Sequence, residues 1–472
     1  MRLRNWQAEC VNTVLNKYRT GRRHFLCLAT PGAGKTTMAA EVASRLFKQD
    51  LIDFVLCFSP SVIIAGDIRQ TLEERIGERF DGVIGAKGGS FTYQSMQFLD
   101  ADIWDLLKSH RVLVIFDEIH HCSGSEPENA NAWGDEIITH VQQFASYTLA
   151  LTGTPWRSDN TPIVLAEYAD PENTIVCDYT YGLAEAIKDG VCRVPQVVVT
   201  DNSNISIQES NGEVTAFNSF VDLLERTDCP YQKIIENEIV LRHILSQANA
   251  KLNVIRSTNP FAGGLIVASS VQHAKMILNI LSNEFGEAAV IATYREVEPI
   301  SIISNFKSSN ISWIVSVGMI SEGTNIPRLQ VCCHLTRIKT ELHFRQILGR
   351  ILRISDGSNQ EAYLFMPAER KLIEFAQRVA KDLPYENSVV RLEKAENQKE
   401  FIDLGMSEYT NQPDKCEDDY VIGLVQEGFG LRGGDATSKN VPSILTQSYD
   451  AIVNVYGRFS QDILAISASP FD

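Results

Sequence analysis

Two stretches of the 472-residue chain alternate short apolar runs with helical patterns of apolar and polar positions. The runs are rich in branched and aromatic side chains, and each one ends where polar, glycine or proline residues begin. This alternation is typical of parallel sheets flanked by helices, so we predict an α/β fold. The predicted strands are 24–30, 54–59, 112–116 and 148–152 in the first stretch, and 264–269, 288–292, 313–317, 331–335 and 362–366 in the second.

The same pattern predicts how the chain is divided. We place one sheet-containing domain at residues 1–195 and another at 259–385. Residues 196–258 are predicted to be a linker with an insertion, because a short apolar run is followed there by a polar stretch and then by helical patterns. Residues 386–472 show no strand–helix alternation and are predicted to form a small acidic accessory region.

The composition is typical of a globular protein of more than one domain, with 44% hydrophobic and 22% charged residues. No run approaches the ~20 apolar residues of a membrane helix. The first residues contain no apolar signal segment. The ten cysteines include no CxxC pair, which favours a reducing compartment. We therefore expect a soluble cytoplasmic protein without a membrane partner.

The net charge of −16 is concentrated towards the C-terminus. Residues 382–472 contain sixteen acidic and seven basic residues, a net charge of −9, which leaves −7 for residues 1–381. Nucleic-acid phosphates are contacted by Lys and Arg, but acidic surface farther away is screened over roughly 10 Å. The charge therefore argues against a non-specific DNA coat and leaves room for a cleft with a local basic lining.

A glycine-rich segment, ATPGAGKT, follows the first predicted strand and precedes a helical pattern. Small residues allow the backbone N–H groups and the helix N-terminus to surround phosphate groups. In such a loop the Lys35 amine reaches the β- and γ-phosphates, and the Thr36 hydroxyl binds Mg²⁺. The residues predicted to bind ATP here are Thr30, Pro31, Gly32, Ala33, Gly34, Lys35, Thr36 and Thr37.

Acidic residues follow the buried predicted strand 112–116, at the sheet edge where α/β proteins bind ligands. Successive side chains of a strand point in different directions, so Asp117 can bind Mg²⁺ while Glu118 orients an attacking water. An alternative interpretation is a metal site formed by residues 120–122, His-His-Cys. Adjacent side chains seldom converge on one ion, and no second cluster of ligands is evident.

Together, ATPGAGKT, then DEIH at 117–120, then TGTP at 152–155 resemble motifs I, II and III of superfamily 2 helicases. They are most similar to the DExH-type motors of type I and III restriction enzymes and of related DNA-repair translocases. The resemblance implies two tandem RecA-like P-loop domains. It also implies that Arg4 and Gln7, in the segment LRNWQ, bind ATP, with Gln7 reading the adenine base. His120, Thr152 and Thr154 are implied to couple nucleotide state to movement.

Two further loops resemble the segments with which this family holds the phosphates of a nucleic-acid strand. They are FSPS at 58–61 and FTYQS at 91–95. The residues to which the resemblance assigns this contact are Ser59, Pro60, Thr92, Tyr93 and Gln94.

The second half of the chain contains two more matches. SEGTNIP at 321–327 resembles motif V, and QILGRILR at 346–353 resembles motif VI. Residues three or four apart share a helix face, so Gln346, Arg350 and Arg353 can project into one cleft. A guanidinium group suits the charge that develops on a transferring phosphoryl group. The resemblance makes Arg350 and Arg353 catalytic, Gln346 a coupling residue, and Gly323 and Asn325 ATP-binding residues.

One position departs from the family pattern. Many superfamily 2 members have Asp where this chain has Asn325, and that Asp helps to hold the nucleotide sugar or an arginine finger. The amide removes a negative charge, so we expect altered nucleotide release with activity retained.

The resemblance implies an ATP-dependent and Mg²⁺-dependent helicase or translocase, with duplex DNA as its preferred track. Residues 386–472 contain no PD…ExK, HNH or zinc pattern, so we expect a partner subunit in a restriction, repair or phage-defence assembly. Two alternatives stay open. One is an RNA helicase, and the other is an ATP-gated interaction module that does not translocate.

Overall fold

The computed structural model describes residues 2–124, 130–153, 162–169, 174–208, 212–320, 324–354, 361–381, 392–394 and 452–465. The predicted positions Thr154 and Gly323 therefore lie outside the described residues, as does most of the predicted accessory region. The two main sheets belong to one compact unit of the chain.

The first sheet has six parallel strands in the order β3-β2-β4-β5-β1-β8. Every residue of β4 is buried, as expected for a strand with helices on both faces. The strands of this half are β1 (His24–Ala29), β2 (Phe54–Ser59), β3 (Gly88–Thr92), β4 (Val112–Asp117), β5 (Tyr147–Thr152), β6 (Glu167–Ala169), β7 (Thr174–Val176) and β8 (Tyr179–Tyr181). The helices are α1 (Asn5–Arg19), α2 (Lys35–Lys48), α3 (Val62–Ile76), α4 (Ala101–Ser109), α5 (Ala132–Glu136) and α6 (Leu183–Lys188).

The second sheet has eight strands in the order β13-β14-β12-β15-β16-β9-β19-β17. The first six are parallel, and β19 and β17 are antiparallel to their neighbours. The strands of this half are β9 (Val194–Asn202), β10 (Ile205–Gln208), β11 (Val214–Phe217), β12 (Gly263–Ala268), β13 (Ala289–Thr293), β14 (Trp313–Val317), β15 (Leu329–Leu335), β16 (Glu361–Pro367), β17 (Leu392–Lys394), β18 (Ile452–Val455) and β19 (Phe459–Ala465).

Seven helices accompany the second sheet, and α9 and α12 pack against β15 and β16. The helices are α7 (Phe220–Arg226), α8 (Tyr231–Ile235), α9 (Glu238–Arg256), α10 (Val271–Asn279), α11 (Pro299–Ser308), α12 (Glu341–Ile351) and α13 (Arg370–Lys381). A small antiparallel sheet, β11-β10-β18, and the β6-β7 hairpin complete the described strands.

The predicted α/β fold, with two mainly parallel sheets and their helices in tandem along the chain, is confirmed. Each of the nine predicted strands overlaps an observed strand and differs from it by at most two residues at either end. Strands β3 and β8 were not predicted, because β3 begins with two glycines and β8 has only three residues.

The interpretation of residues 196–258 as linker and insertion differs from the structure. Strand β9 pairs in parallel with β16 inside the second sheet, and α9 covers the same sheet. The apolar run 197–199 is therefore part of a buried strand. Within the predicted accessory region, β19 pairs with β9 and extends the second sheet. Among the described residues, no helix is long and apolar enough to cross a membrane.

Gly264 provides a test of the packing of the second sheet. A Cβ atom at this position would lie 2.2 Å from the ring of Trp313 on β14. That ring is fully buried, and its Nε1 donates to Asn249 Oδ1 at 3.1 Å, so it has little freedom to move. We expect Gly264→Ala to lower the free energy of unfolding by about 1–3 kcal/mol through overpacking.

Chemical denaturation of the full chain measures this change. Gly66→Ala is the matched control, because Gly66 lies within α3 and its new Cβ would have no atom within 4 Å. The control should gain about 0.5–1 kcal/mol from helix propensity. Equal stability of Gly264→Ala and the wild type would contradict the described packing.

Candidate active site

The loop between β1 and α2 adopts backbone angles that favour glycine. Gly32 and Gly34 have φ values of 85° and 93°, in the left-handed region, and Gly34 is the N-cap of α2. The N–H groups in the first turn of a helix have no partners within the helix and lie at its positive end. The predicted phosphate loop therefore has the backbone form of an anion site.

Arg4 and Gln7, at the start of α1, brace this loop. Arg4 Nη1 donates to the carbonyl of Ala33 at 2.7 Å, and Gln7 Nε2 donates to the carbonyl of Gly34 at 2.9 Å. Gln7 Oε1 also accepts the backbone N–H of Arg4 at 2.9 Å. The side chain of Gln7, predicted to read adenine, is buried against the loop, whereas Arg4 also lines the adjoining cavity.

The other predicted loop residues divide into two groups. Thr30 is buried, its N–H donates to the carbonyl of Tyr181 at 3.0 Å, and its own carbonyl accepts Ala33 N–H at 3.1 Å. Thr37 is half-buried in the first turn of α2. The loop residues that line the cavity are Pro31, Gly32, Gly34, Lys35 and Thr36.

Two acids at the end of β4 face the loop. Lys35 Nζ donates to Glu118 Oε1 at 2.7 Å, and the backbone N–H of Gly153 donates to Glu118 Oε2 at 3.1 Å. Glu118 has a φ of 53°, an unusual left-handed value for a residue other than glycine. Asp117 is buried, and its Oδ1 has no hydrogen-bond partner among the described residues. The two carboxylates therefore have different environments.

These environments move the two pKa values in opposite directions. Burial, and then the nearby charge of Glu118, raise the pKa of Asp117 to about 6. Burial alone would also raise the pKa of Glu118, but the charges of Lys35 and His120 and the hydrogen bonds from Lys35 and Gly153 lower it to about 2. Pairs of acids separated in this way are typical of catalytic sites.

His120 is buried next to Thr152. Its Nδ1 lies 3.1 Å from Thr152 Oγ1 and 3.4 Å from Glu118 Oε2. A contact with Glu118 on one side and with the end of β5 on the other is the arrangement that a coupling role requires. The predicted partner across the cleft, Gln346, lines the cavity.

Helix α12 brings the two predicted arginines to the same place. Thr340 caps this helix by accepting the His343 N–H, and its apolar face is buried against the second sheet. Arg350 Nη1 and Arg353 Nη1 both donate to the carbonyl of Thr324, at 2.8 Å and 3.2 Å. Arg353 also donates to Asn325 Oδ1, and contact with an arginine is one of the two roles that the resemblance offered for this position.

The two sheets meet through closely packed glycines. A Cβ atom on Gly349 would lie 2.7 Å from Pro31 Cβ, and one on Gly32 would lie 2.9 Å from Arg353 Cγ. Between the sheets is a cavity of about 350 Å³. Its lining includes Lys35, Thr36, Asp117 and Glu118 from the first half, and Asn325, Gln346, Arg350 and Arg353 from the second.

Two arginines that share one carbonyl partner repel each other unless an anion is near. Burial, and then the charge of Arg350, lower the pKa of Arg353. A bound polyphosphate would offset this repulsion, since guanidinium groups bind phosphate oxygens in pairs of hydrogen bonds.

Two of the residues predicted to contact nucleic acid have side chains that cannot do so in this structure. Ser59 and Tyr93 are fully buried. The Ser59 hydroxyl donates to the carbonyls of Ser61 and Phe91, and the Tyr93 hydroxyl donates to the carbonyl of Asp117 at 2.8 Å. The resemblance did not indicate which side chains of these two loops point inward. Pro60 and Thr92 are half-buried, and Gln94 is exposed.

Several residues at the site were not predicted. Ile64 and Asp67 line the cavity from α3, and Val191 lines it from the segment before β9. Ser61 would have predicted the start of α3, because a Ser at that position is a common N-cap, and its hydroxyl accepts the Ile64 N–H. No sequence signal marks residues 191–193.

The donor set fits a hard divalent cation. Asp117 offers a buried carboxylate oxygen to which no residue in the described ranges donates a hydrogen bond, and Thr36 lines the same cavity. In the described part of the chain, no group of three or more His, Cys, Asp or Glu side chains could hold a metal. A cation bound by one carboxylate, with water and substrate oxygens as its other ligands, is typical of Mg²⁺.

Two family models match the chain. Residues 1–157 match the type III restriction enzyme res subunit, and residues 246–355 match the helicase conserved C-terminal domain. The first match contains the phosphate loop and the acidic pair, and the second ends just after the two arginines.

Individual relatives agree with these matches. An uncharacterized protein of Mycobacterium leprae is 30% identical over 391 residues, which are 80% of this chain and 64% of the relative. The DNA 3′–5′ translocase XPB2 of Sulfurisphaera tokodaii is 25% identical over 378 residues, 75% of this chain and 79% of the relative. The chain thus spans less than two thirds of the length of the mycobacterial relative.

A solved structure has the same fold at low identity. It is a fragment assigned to the HsdR subunit of a type I restriction enzyme from Vibrio vulnificus, with a TM-score of 0.52 and 17% identity. The match covers 77% of this chain and 64% of that chain.

The raised pKa of Asp117 predicts that Asp117→Asn stabilises the protein without ligands. An acid whose pKa is higher in the folded state contributes stability below its unfolded value of 3.8, and that contribution is lost as the pH rises through about 6. Above that pH the substitution should add up to about 3 kcal/mol, since one pKa unit corresponds to about 1.4 kcal/mol. Below pH 4 the gain should vanish.

Thermal unfolding between pH 4 and pH 8, without Mg²⁺ or nucleotide, measures this effect. Glu118→Gln is the opposite control, because it removes the anion paired with Lys35 and should lower the unfolding temperature at neutral pH. A gain for Asp117→Asn that stays constant across this range would show that Asp117 is not the titrating group.

Proposed function

We propose that this chain carries two motor domains of the superfamily 2 helicase type, and that it hydrolyses ATP in the cavity between its two sheets to move along nucleic acid. One observation supports this most directly. A single cavity is lined by the phosphate loop and both acids from one sheet, and by Arg350 and Arg353 from the other. A nucleotide bound there touches both halves, so its hydrolysis changes how strongly the halves hold each other.

Lys35 and Glu118 form a charge pair that a nucleotide would rearrange. Lys35 Nζ lies 2.7 Å from Glu118 Oε1 and 3.4 Å from the carbonyl of Ala29. A triphosphate in the loop competes for the Lys35 amine, and Glu118 is then left to accept a proton from the attacking water. Before a nucleotide binds, the charges of Lys35 and His120 lower the pKa of Glu118 to about 2, so this carboxylate is ionised at neutral pH.

Asp117 and Thr36 would hold a Mg²⁺ ion, which supplies positive charge to the β- and γ-phosphate oxygens. Arg350 and Arg353 stabilise the charge that develops on the γ-phosphoryl group. Arginine fingers contribute on the order of 10³–10⁵ in rate in other phosphoryl-transfer enzymes. In this structure their partners are the Thr324 carbonyl and the Asn325 amide.

We propose duplex DNA as the track. Support comes from the archaeal relative, which bears the name of a DNA translocase. The exposed side chain of Gln94, with Pro60 and Thr92, is available for a strand at the carboxyl end of the first sheet.

We also propose that the chain is the motor subunit of a DNA-processing, restriction or phage-defence assembly in the cytoplasm. The family model over residues 1–157 describes a subunit of a restriction enzyme, which supports this proposal.

Lys35→Ala and Glu118→Gln test the chemistry. Each should lower ATP turnover by at least about 10³-fold, because one removes the phosphate-binding amine and the other the base that orients water. Steady-state phosphate release measures turnover, and circular dichroism checks that both variants are folded. Lys108→Ala is the matched surface control, because Lys108 is an exposed lysine of α4. Wild-type turnover in either site variant would refute the assignment.

A panel of polynucleotides tests the track. We expect duplex DNA to stimulate the ATPase at least about tenfold, more than single-stranded DNA or RNA, and the stimulation should fall as salt is raised. Stimulation by RNA alone would make the protein an RNA helicase. A slow ATPase that ignores every polynucleotide and responds to a protein would make it an ATP-gated interaction module.

A further inference from the structure

The segment that leads from the first sheet into β9 passes directly between the phosphate loop and the end of α12. Cys192 forms an antiparallel bridge with Arg353, and the backbone N–H of Arg193 donates to the carbonyl of Leu352 at 2.7 Å. The thiol of Cys192 lies 3.7 Å from the carbonyl of Pro31. The segment therefore contacts both halves of the proposed ATP site, the arginine side through its backbone and the phosphate loop through the Cys192 thiol.

The side chain of Arg193 is 1% exposed and lies among carbonyl groups at the end of α12. Its Nη1 is 3.0 Å from the carbonyl oxygen of Leu329 and 3.1 Å from that of Ile351, and it also contacts the carbonyl of Arg353. The last carbonyls of a helix have no partners within the helix and form its negative end. A buried cation at this position satisfies them.

The guanidinium group of Arg193 also links the end of α12 to the segment whose Thr324 and Asn325 accept hydrogen bonds from Arg350 and Arg353. Leu329 begins β15, directly after the segment that contains Thr324 and Asn325, and the Pro327 carbonyl lies 3.5 Å from the same nitrogen. Burial lowers the pKa of Arg193 to about 10, so the group still carries its charge at neutral pH.

We propose that Arg193 is a positioning residue: it fixes the last turn of α12 against the 324–329 segment and so sets the direction of Arg350 and Arg353. It does not line the cavity itself. This inference rests on the proposed ATPase function, since it assigns Arg193 to the preparation of the arginine fingers.

Arg328 offers a matched control in the same sheet. It is also buried, and its guanidinium donates to the carbonyls of Phe261, Phe306 and Ile311 at 2.7, 2.9 and 2.7 Å. None of these carbonyls belongs to α12. Replacing Arg328 therefore removes a buried guanidinium of comparable bonding without releasing the helix end.

Amide hydrogen exchange of the nucleotide-free full chain gives the first test. Arg193→Met should raise exchange in peptides covering 345–354 and 324–330 about tenfold, while peptides of α2 stay unchanged. Arg328→Met should leave peptides covering 345–354 at the wild-type rate. Wild-type exchange at 345–354 in Arg193→Met would overturn the proposal, whatever the ATPase shows.

Steady-state kinetics gives the second test through a double-mutant cycle with Arg353→Ala. Arg193→Met should lower kcat at least about tenfold and change KM for ATP less than about threefold, because misdirected fingers lose a contact made in the transition state. In the Arg353→Ala background the same change should cost less than about twofold, since residues that act as one unit are not additive. Arg193→Lys should recover part of kcat.

The outcomes separate the two proposals. Additive losses, or a loss seen only in KM, would overturn the role of Arg193 and leave the ATPase intact. A wild-type protein that hydrolyses no ATP would overturn the proposed function, while faster exchange at 345–354 would still show that Arg193 fixes the helix end. For the control, we expect the losses of kcat caused by Arg328→Met and Arg353→Ala to be additive.

Discussion

The site depends on how closely the phosphate loop approaches α12. Gly349 and Gly32 leave no room for a side chain where the two surfaces meet, since a Cβ atom on either would lie within 3 Å of Pro31 or Arg353. A glycine inside a helix costs roughly 1 kcal/mol of stability compared with alanine. In return, the missing side chain allows the two surfaces to approach closely. This approach places Arg350 and Arg353 in the same cavity as the phosphate loop.

The second constraint is charge. One small cavity contains Lys35, two carboxylates of opposite pKa behaviour and two guanidinium groups. Without a ligand, Lys35 pairs with Glu118, and the two guanidinium groups bind the carbonyl of Thr324 and the amide of Asn325. This arrangement suits a ligand that brings negatively charged oxygens together with a cation. The oxygens would bind the basic side chains and the cation would bind the carboxylates, in place of the contacts that these groups now make within the protein.

Much of the fold could be predicted from the sequence, because strands buried on both faces are written as continuous apolar runs. The same runs placed the phosphate loop, Asp117 and Glu118 at one sheet edge. Strand β9 was missed because it lies far in sequence from its partners, so its apolar run looked like the start of a linker. The direction of single side chains could not be predicted from the sequence either. Tyr93 lies in the loop FTYQS that was predicted to contact nucleic acid, but its side chain points inward. Arg193 belongs to none of the motifs or periodic patterns described above, so its buried position could not be predicted from the sequence.

The strand order has a consequence for synthesis of the chain. Strand β9 pairs on one side with residues 361–367 and on the other with residues 459–465. During synthesis, the first sheet can form early. Strand β9, however, cannot pair on either side until more than 150 further residues have been added to the chain. An exposed apolar strand edge invites pairing with other chains. Nascent or shortened forms of this protein should therefore depend on chaperones far more than the finished molecule does.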